Sequence, residues 1–459
     1  MASVSIQRTP GVTGNRKTWT WSAWIKRGLM GATETMMGHY TDSDNRVDIG
    51  FMAVDTLYIY EREGASTKID FQTTRVFRDT SAWYHFVVAV DTAQSVEADR
   101  MKFYVNGTQI TDWIDDNYPA EDLLTSMNYS GNTMTIGGRS SNYFSGEMSH
   151  VQWVDGAALA PTEFGEVDST SGIWKIKTTA YATPGTNGFF LKMEDRTNLD
   201  LDSSSNALTF TTSGTLTATY DNPSNNFCTW NPLGTRTDNV PTFSNGNTTA
   251  KNTAAAWGSI GGTLIAKSGK WYYEVIGGNT TGPGYMHYGF ASTDYFARGG
   301  ASYGYMGEPG TGINFPSYTY YGYNGNIYYN TTTSNSQTSS YGATYVNTDY
   351  IGVFLDLDNS KMYWSKNGTI QNSGTGMTID NANSDFWTPI TGNYTDATGH
   401  DTNFGNGVFG TTALTGTTYS DANSKGTFKY SPNDSGGSSF DGSAKDFYAL
   451  ITSNIKLYG

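Results

Sequence analysis

Short apolar runs alternate with polar turns along the whole chain, and wherever the alternation is regular its period is two. In residues 17–26, Lys-Thr-Trp-Thr-Trp-Ser-Ala-Trp-Ile-Lys, Trp19, Trp21 and Ile25 share one face of a strand. Trp24 breaks that period, which predicts a bulge there. Further strand candidates lie at residues 35–40, 47–53, 56–60, 69–76, 83–90, 102–105, 134–137 and 148–153. Residues 159–165, with Pro161 near the start, predict a short helical turn, and no other segment carries a convincing 3.6-residue period.

One hairpin is written twice. Met-Lys-Phe-Tyr-Val before Asn106-Gly107 and Lys-Met-Tyr-Trp-Ser-Lys before Asn367-Gly368 are each followed by a short return strand. An Asn-Gly pair between strand-like runs signals a type I′ turn, which needs positive φ at both central residues. Each hairpin follows a strand ending in an acidic turn, at residues 83–91 and 350–358. The pattern predicts an all-β chain of two related β-sandwiches in tandem.

Between them, residues 167–226 are rich in Ser, Thr, Asn and Gly, with Pro184-Gly185 and Asn222-Pro223 as turn punctuation. Residues 189–193 and 207–210 still resemble strands, so this stretch is expected to be a structured connector. At the C-terminus, residues 447–451 and 455–458 fit a last strand or an assembly tail.

Composition supports the all-β reading. Aromatic residues reach 14% while charged ones are only 15%, so Ser, Thr, Asn, Gly and Tyr build the surface. The net charge of −14 comes without a Lys/Arg cluster, which excludes nucleic acid as an expected partner. Cys228 is the single cysteine, so no intrachain disulfide exists. No run approaches the roughly 20 apolar residues of a membrane helix, so membrane insertion is not expected. The start, Met-Ala-Ser-Val-Ser-Ile-Gln-Arg, does not read as a signal peptide, and synthesis in a cytoplasm is expected.

The motifs in the first 166 residues resemble the laminin-G/concanavalin A-like jelly-roll family. They are Trp-Thr-Trp-Ser-Ala-Trp at 19–24, Trp-Tyr-His-Phe-Val-Val-Ala-Val-Asp at 83–91, Phe-Tyr-Val-Asn-Gly at 103–107, Ile-Gly-Gly-Arg at 136–139 and Phe-Ser-Gly-Glu-Met at 144–148. A second series runs Gly-Lys-Trp-Tyr-Tyr-Glu-Val at 269–275, Tyr-Gly-Phe-Ala-Ser at 288–292 and Asp-Tyr-Ile-Gly-Val-Phe-Leu-Asp at 349–356. It continues with the hairpin at 361–368, Phe-Trp-Thr-Pro-Ile at 386–390 and Asp-Thr-Asn-Phe-Gly-Asn-Gly-Val-Phe at 401–409. That order is similar to the SPRY family over about residues 255–411. The domains expected are therefore 1–166 laminin-G-like, 167–226 connector, and 227–459 SPRY-like with a Tyr-rich insertion at 299–344.

The whole arrangement, with Pro-Gly-Thr-Asn-Gly-Phe at 184–189 and Asn-Pro-Ser-Asn-Asn-Phe-Cys-Thr-Trp-Asn-Pro-Leu at 222–233, resembles virion proteins of marine bacteriophages. That resemblance implies a tail fibre, appendage or capsid decoration located in the virion. It implies contacts with other virion proteins and a homo-oligomer, a trimer in the case of a fibre.

Candidate chemistry points to binding and away from catalysis. A sandwich glycosidase needs paired carboxylates on a strand, but Glu61 and Glu63 lie near a turn and Glu274 is alone. The histidines His39, His85, His150, His287 and His400 have no zinc spacing. Gly300-Ala-Ser302-Tyr-Gly304 spells a nucleophile elbow with no helical pattern after it, so chance explains it better. A carbohydrate-active enzyme is thus the least favoured class.

Asp42 and Asp44 are the Ca²⁺ candidates, with Asp200, Asp202 and Asn206 as another oxygen-rich loop, and plain turns the competing account. Trp83, Trp271 and Trp364 are expected in the cores. An Asn-x-Ser triplet such as that at Asn128 is expected by chance. Tyr303, Tyr305, Tyr318, Tyr320, Tyr321, Tyr323, Tyr328 and Tyr329 form the candidate ligand surface, since Tyr among Gly, Ser and Asn has the composition of a binding loop. The alternative is that these tyrosines pack between subunits or form extra strands. The expected function is non-enzymatic attachment to a host cell-surface glycan or protein. A purely structural virion protein is the runner-up.

Overall fold

The computed structural model describes residues 4–236, 241–253, 257–277, 284–294, 315–331, 335–338, 340–384, 386–394, 399–433, 440 and 446–459. The chain forms two compact units, Met1–Ala218 and Thr219–Gly459.

Among the described residues, the first unit is built on a ten-stranded and a six-stranded sandwich sheet, antiparallel except where Asn142–Tyr143, which with Gly138–Arg139 lies off the main strand order, pairs parallel with Glu34–Asp42. The larger runs in the order Trp113–Asn117, Ser66–Val76, Thr56–Glu63, Asn45–Phe51, Glu34–Asp42, Met134–Ile136, Ser5–Arg8 and Thr211–Ser213. The smaller runs Phe189–Leu191, Gly146–Asp155, Thr18–Arg27, Trp83–Asp91, Met101–Val105 and Thr108–Ile110. Inward residues of both, including Trp19, Trp21, Ile49, Phe71, Phe86, Phe103 and Trp153, make one core. Two strands from the stretch expected to be a connector belong to these sheets, one within the run expected at 189–193 and one just after the run expected at 207–210, which is not itself a strand. Phe189–Leu191 pairs with Gly146–Asp155, and Thr211–Ser213 pairs with Ser5–Arg8.

Trp24 is not a bulge. Thr18–Arg27 pairs with Trp83–Asp91 without a register shift, and the irregularity lies in the opposite partner, between Ser149 and Gln152. Trp24 simply points to the other face, where it stacks on His85 at 4.9 Å, and Trp174 covers His85 at 5.9 Å. Both faces of this strand are buried, so period two does not separate apolar from polar positions there. The turn at Pro161–Glu163 is 3₁₀, as the sequence led one to expect of a short helical turn.

In the second unit, a seven-stranded and a nine-stranded sheet enclose a core that includes Trp271, Tyr273, Tyr288, Phe290, Trp364 and Trp387. Tyr272, the neighbour of two of these, points the other way into a second cluster with Phe354, Phe428 and Phe447. Trp83, Trp271 and Trp364 are all buried, as expected. Of the C-terminal residues expected as a strand or tail, Tyr448–Ala449 is a strand paired with Lys270–Gly277, as expected, whereas the last ones form a helix, Thr452–Tyr458. It is held by the buried Asn454, whose amide donates to Asp421 and to the Ala449 carbonyl at 3.0 Å each. Seven residues are too few to display a helical period.

Both Asn-Gly turns have the backbone expected of them. Asn106 and Gly107 have φ of 49° and 79°, and Asn367 and Gly368 have 49° and 81°. An aromatic ring lies on each glycine: a Cβ at Gly107 would sit 2.6 Å from Trp174, and one at Gly368 2.5 Å from Tyr430.

Candidate functional site

Residues Ser317–Tyr321 and Ile327–Asn330 of the Tyr-rich stretch are strands of the seven-stranded sheet. This corrects the loop reading for most of the candidate tyrosines. Tyr318 and Tyr320 face the core and are 1% and 0% exposed, so neither can meet a ligand. Tyr320 packs on Tyr345 and Trp364, and its hydroxyl donates to the Ala343 carbonyl. Tyr321 and Tyr328 point to the outer side but are largely covered, Tyr329 is half-buried, and Tyr323 is 51% exposed. Tyr303 and Tyr305, like the Gly300–Gly304 motif, lie outside the described residues.

Tyr323 belongs to a ring of aromatics that sequence reading did not assemble. The circuit runs from Trp257 to Tyr394 at 5.3 Å, to Tyr285 at 6.0 Å, and to Tyr323 at 5.2 Å with the last two rings stacked. It closes through Tyr321 at 6.0 Å, His287 at 4.1 Å and back to Trp257 at 5.2 Å. Tyr394 is 38% exposed, and Trp257 and Tyr285 are partly so.

Antiparallel pairing explains the gathering. Trp257 immediately precedes Gly258–Gly262, and Tyr285 immediately precedes Met286–Ser292. Tyr394 follows Trp387–Asn393, and Tyr323 comes just after Ser317–Tyr321. These are four adjacent strands, with Asn393 opposite both Gly258 and Met286, and Tyr321 opposite His287. The start of one strand and the end of its neighbour lie at the same end of a sheet, so four residues distant in sequence meet. The signal available in sequence was an aromatic residue flanking each strand end.

The ring carries no fixed charge. Burial pushes the His287 imidazole down to about 3, so it is neutral near pH 7, and its Nδ1 contacts the Thr319 hydroxyl at 3.0 Å. Asn324 beside it donates to the Tyr328 hydroxyl at 3.1 Å. Such a surface offers flat apolar faces with hydroxyl and amide groups at the margin.

The candidate metal loop is bonded as a turn. Asp42 Oδ1 accepts from the Asp44 backbone N–H at 2.8 Å and from the Asn45 amide at 3.0 Å, while Asp44 pairs with Arg62 at 3.2 Å. These are the bonds of an ordinary Asx turn and an exposed ion pair, the competing account given for this loop. Asp202 is likewise a turn acceptor, taking N–H groups from Phe190, Ser204 and Leu208. Asn128 is buried, with its amide bonded to Asp155 and the Asn15 carbonyl.

Two serine–histidine pairs occur in the first unit. Ser22 Oγ is 2.8 Å from His85 Nε2, while the Trp174 indole N–H donates to His85 Nδ1 at 3.0 Å. With Nδ1 used as acceptor, neutral His85 carries its proton on Nε2 and donates to Ser22, the wrong tautomer for a general base. Ser149 Oγ lies 2.7 Å from His150 Nδ1, and burial lowers that imidazole to about 4. Both serines are buried, out of reach of a dissolved substrate.

The isolated carboxyls are structural as well. Glu274 accepts from the Lys429 and Tyr430 N–H groups at 2.8 and 2.7 Å, the Tyr272 hydroxyl at 3.0 Å and the Asn403 amide at 3.2 Å. Burial raises it to about 7 against the pull of those donors.

Residues 2–163 match the Laminin_G_3 family of the concanavalin A-like lectin/glucanases superfamily, and residues 270–388 match the SPRY domain. The chain thus carries a concanavalin A-like and a SPRY domain in tandem. Among solved structures, it is similar to the SPRY domain of human HERC1 (12% identity, 38% of this chain and 96% of that one, TM-score 0.30). It is similar also to the heptameric SAP-like pentraxin of Limulus polyphemus (19% identity, 35% and 72%, TM-score 0.26). A third is a putative carbohydrate binding protein of Bacteroides ovatus (16% identity, 46% and 56%, TM-score 0.30). No curated protein matches the chain.

Proposed function

We propose that this protein is a non-enzymatic attachment protein and that its SPRY unit holds a surface glycan on the Trp257, Tyr285, Tyr323 and Tyr394 rings. The observation that carries this reading is the closed aromatic circuit with Tyr323 and Tyr394 exposed at one sheet end. Sugar rings present C–H faces that stack on aromatic rings, while their hydroxyls bond to phenol and amide groups. The tautomer of His85 and the burial of Ser22 and Ser149 support the absence of catalysis. The platform is shallow, so useful attachment requires several copies, and display on a virion as a fibre, appendage or capsid decoration supplies them. The phage-like order of motifs at 184–189 and 222–233 supports that setting, with other virion proteins and a homo-oligomer as the remaining partners.

A glycan array probed with the full chain and with Tyr323→Ala plus Tyr394→Ala tests this. Binding by the parent that the double variant loses supports the reading. Equal binding by both, or none by either, overturns the platform as the ligand surface. Release of sugar from host polysaccharide overturns the non-enzymatic reading.

A further inference from the structure

The sequence contains six Asn-Gly pairs, at Asn106, Asn187, Asn245, Asn324, Asn367 and Asn406. In such a pair the glycine nitrogen can attack the asparagine side-chain carbon, because glycine has no Cβ to obstruct the approach. The dipeptides are identical, so their surroundings decide which one reacts. Asn187 and Asn406 are 1% and 2% exposed, out of reach of water. At Asn324 the Gly325 N–H donates to the Tyr321 carbonyl at 3.0 Å. The Asn324 side chain is held at both ends as well, by the Asn326 N–H at 3.0 Å and the Tyr328 hydroxyl at 3.1 Å. Asn106 and Asn367 have their side-chain oxygens bonded to strand N–H groups, of His85 at 2.8 Å and of Tyr350 at 2.9 Å. The Asn367 amide also donates to Asp349 at 2.7 Å.

Asn245 differs from all of these. It is exposed in the turn between Thr242–Ser244, the edge strand of the nine-stranded sheet, and Thr249–Lys251. Asn245, Gly246 and Asn247 have φ of 55°, 62° and 62°. The backbone of the turn is fixed by Thr248, whose N–H and hydroxyl both donate to the Asn245 carbonyl, at 3.2 and 2.7 Å. Asn245 Oδ1 and the Gly246 N–H, by contrast, make no hydrogen bond among the described residues. Attacking nitrogen and attacked group are both unengaged and open to water.

The one bond this side chain makes shows what its conversion would do. Asn245 Nδ2 donates to Thr249 Oγ1 at 2.9 Å, and the Thr249 hydroxyl donates to Asp401 on the paired strand Gly399–Asn403. The chain runs in one direction and ends on a carboxylate. A carboxylate at position 245 has no hydrogen to donate, so two acids would compete for one hydroxyl hydrogen and repel each other. Lys251, the cation of this hairpin, stands at its far end opposite Thr242. We propose that Asn245 is a site of spontaneous modification and that the acid formed there loosens this sheet edge. The Gly246 nitrogen bonds to the Asn245 Cγ, and the side-chain nitrogen leaves as ammonia with the proton from Gly246. Water then opens the cyclic imide to aspartate or isoaspartate, so the balance is amide plus water to acid plus ammonia.

The full chain, kept at pH 8, sampled over weeks and digested, is read by mass spectrometry for acid at each of the six pairs. Conversion at Asn245 should run about tenfold or more ahead of the other five, the factor that one extra hydrogen bond to open contributes to a rate. Faster conversion at another pair overturns the site. So does an Asn245 still intact when the synthetic peptide Thr-Phe-Ser-Asn-Gly-Asn-Thr has converted. Amide hydrogen exchange over residues 242–251 reads the effect on the edge. Asn245→Asp should speed it about tenfold, while Asn245→Gly, which cannot convert, should exchange alike fresh and aged. Combining Asn245→Asp with Asp401→Asn should restore slow exchange. The new amide at position 401 then donates to Thr249, and the hydroxyl donates to the new carboxylate at position 245. Unchanged exchange in Asn245→Asp, or no recovery in the double variant, overturns the loosening through Asp401.

Discussion

Asn367 and Tyr350 exchange two hydrogen bonds: the Asn367 side-chain oxygen accepts from the Tyr350 N–H at 2.9 Å, and the Asn367 N–H donates to the Tyr350 carbonyl at 2.8 Å. Asn106 makes the same pair with His85, at 2.8 and 2.9 Å. The asparagine of each Asn-Gly turn thus does two jobs. It adopts a left-handed backbone and it ties the turn to the first residues of the preceding strand.

Asn367→Ala removes that acceptor and places a Cβ residue without local hydrogen bonding at φ 49°. A loss of about 1–3 kcal/mol is expected in urea denaturation. Asn367→Gly keeps the backbone and should lose only about 1 kcal/mol. Equal losses in the two variants would show that the backbone conformation contributes nothing.

Neighbouring tyrosines should separate stability from binding. Tyr320→Ala empties a core position packed on Trp364 and should cost about 3–5 kcal/mol. Tyr323→Ala, at 51% exposure, should stay within about 0.5 kcal/mol of the parent while weakening glycan binding. Thermal melts and the glycan array read the two effects separately.

Glu61 predicts a pH dependence. Burial is the largest cause holding its carboxyl at about 7, above the ordinary 4.5, and its Oε1 accepts the Ser126 N–H at 2.6 Å while Oε2 is buried with no hydrogen-bond partner among the described residues. Between those values the folded state keeps a proton that the unfolded chain has lost, so stability falls as pH rises through the window and is level above it. The drop is about 3 kcal/mol for this group. Glu61→Gln retains an acceptor for Ser126 and should remove that part of the slope. Glu34 and Glu274 are also raised to about 7, so the comparison is between the parent and variant curves of stability against pH. Superimposable curves would refute the assignment.

His85 should remain neutral from pH 8 down to pH 5, because burial first, and then His150, lower it to about 3. Nitrogen-15 shifts should report a protonated Nε2 and a bare Nδ1. Trp174→Phe removes the donor at Nδ1 and should mix the tautomers while the Ser22 contact persists. A parent ring already protonated on Nδ1 would restore Ser22–His85 as a candidate base pair.

The sequence by itself determined what is local. Period two, the Asn-Gly pairs and the ordered motifs of two families specify strands, type I′ turns and two tandem sandwiches, because each rests on backbone preference or on one buried face. Trp24 was less legible, since a strand buried on both faces shows no polar alternation. The run at 189–193 was legible as a strand, but its pairing with Gly146–Asp155 was not, because pairing is a long-range choice. Tertiary structure alone decided which tyrosines are buried: Tyr320 and Tyr321 are adjacent in sequence, yet the pleat sends one into the core and the other toward the aromatic ring. It alone also brought Trp257, Tyr285, Tyr323 and Tyr394 together. Antiparallel pairing joins a strand's start to its neighbour's end, and one sequence without its strand register does not reveal which ends will meet.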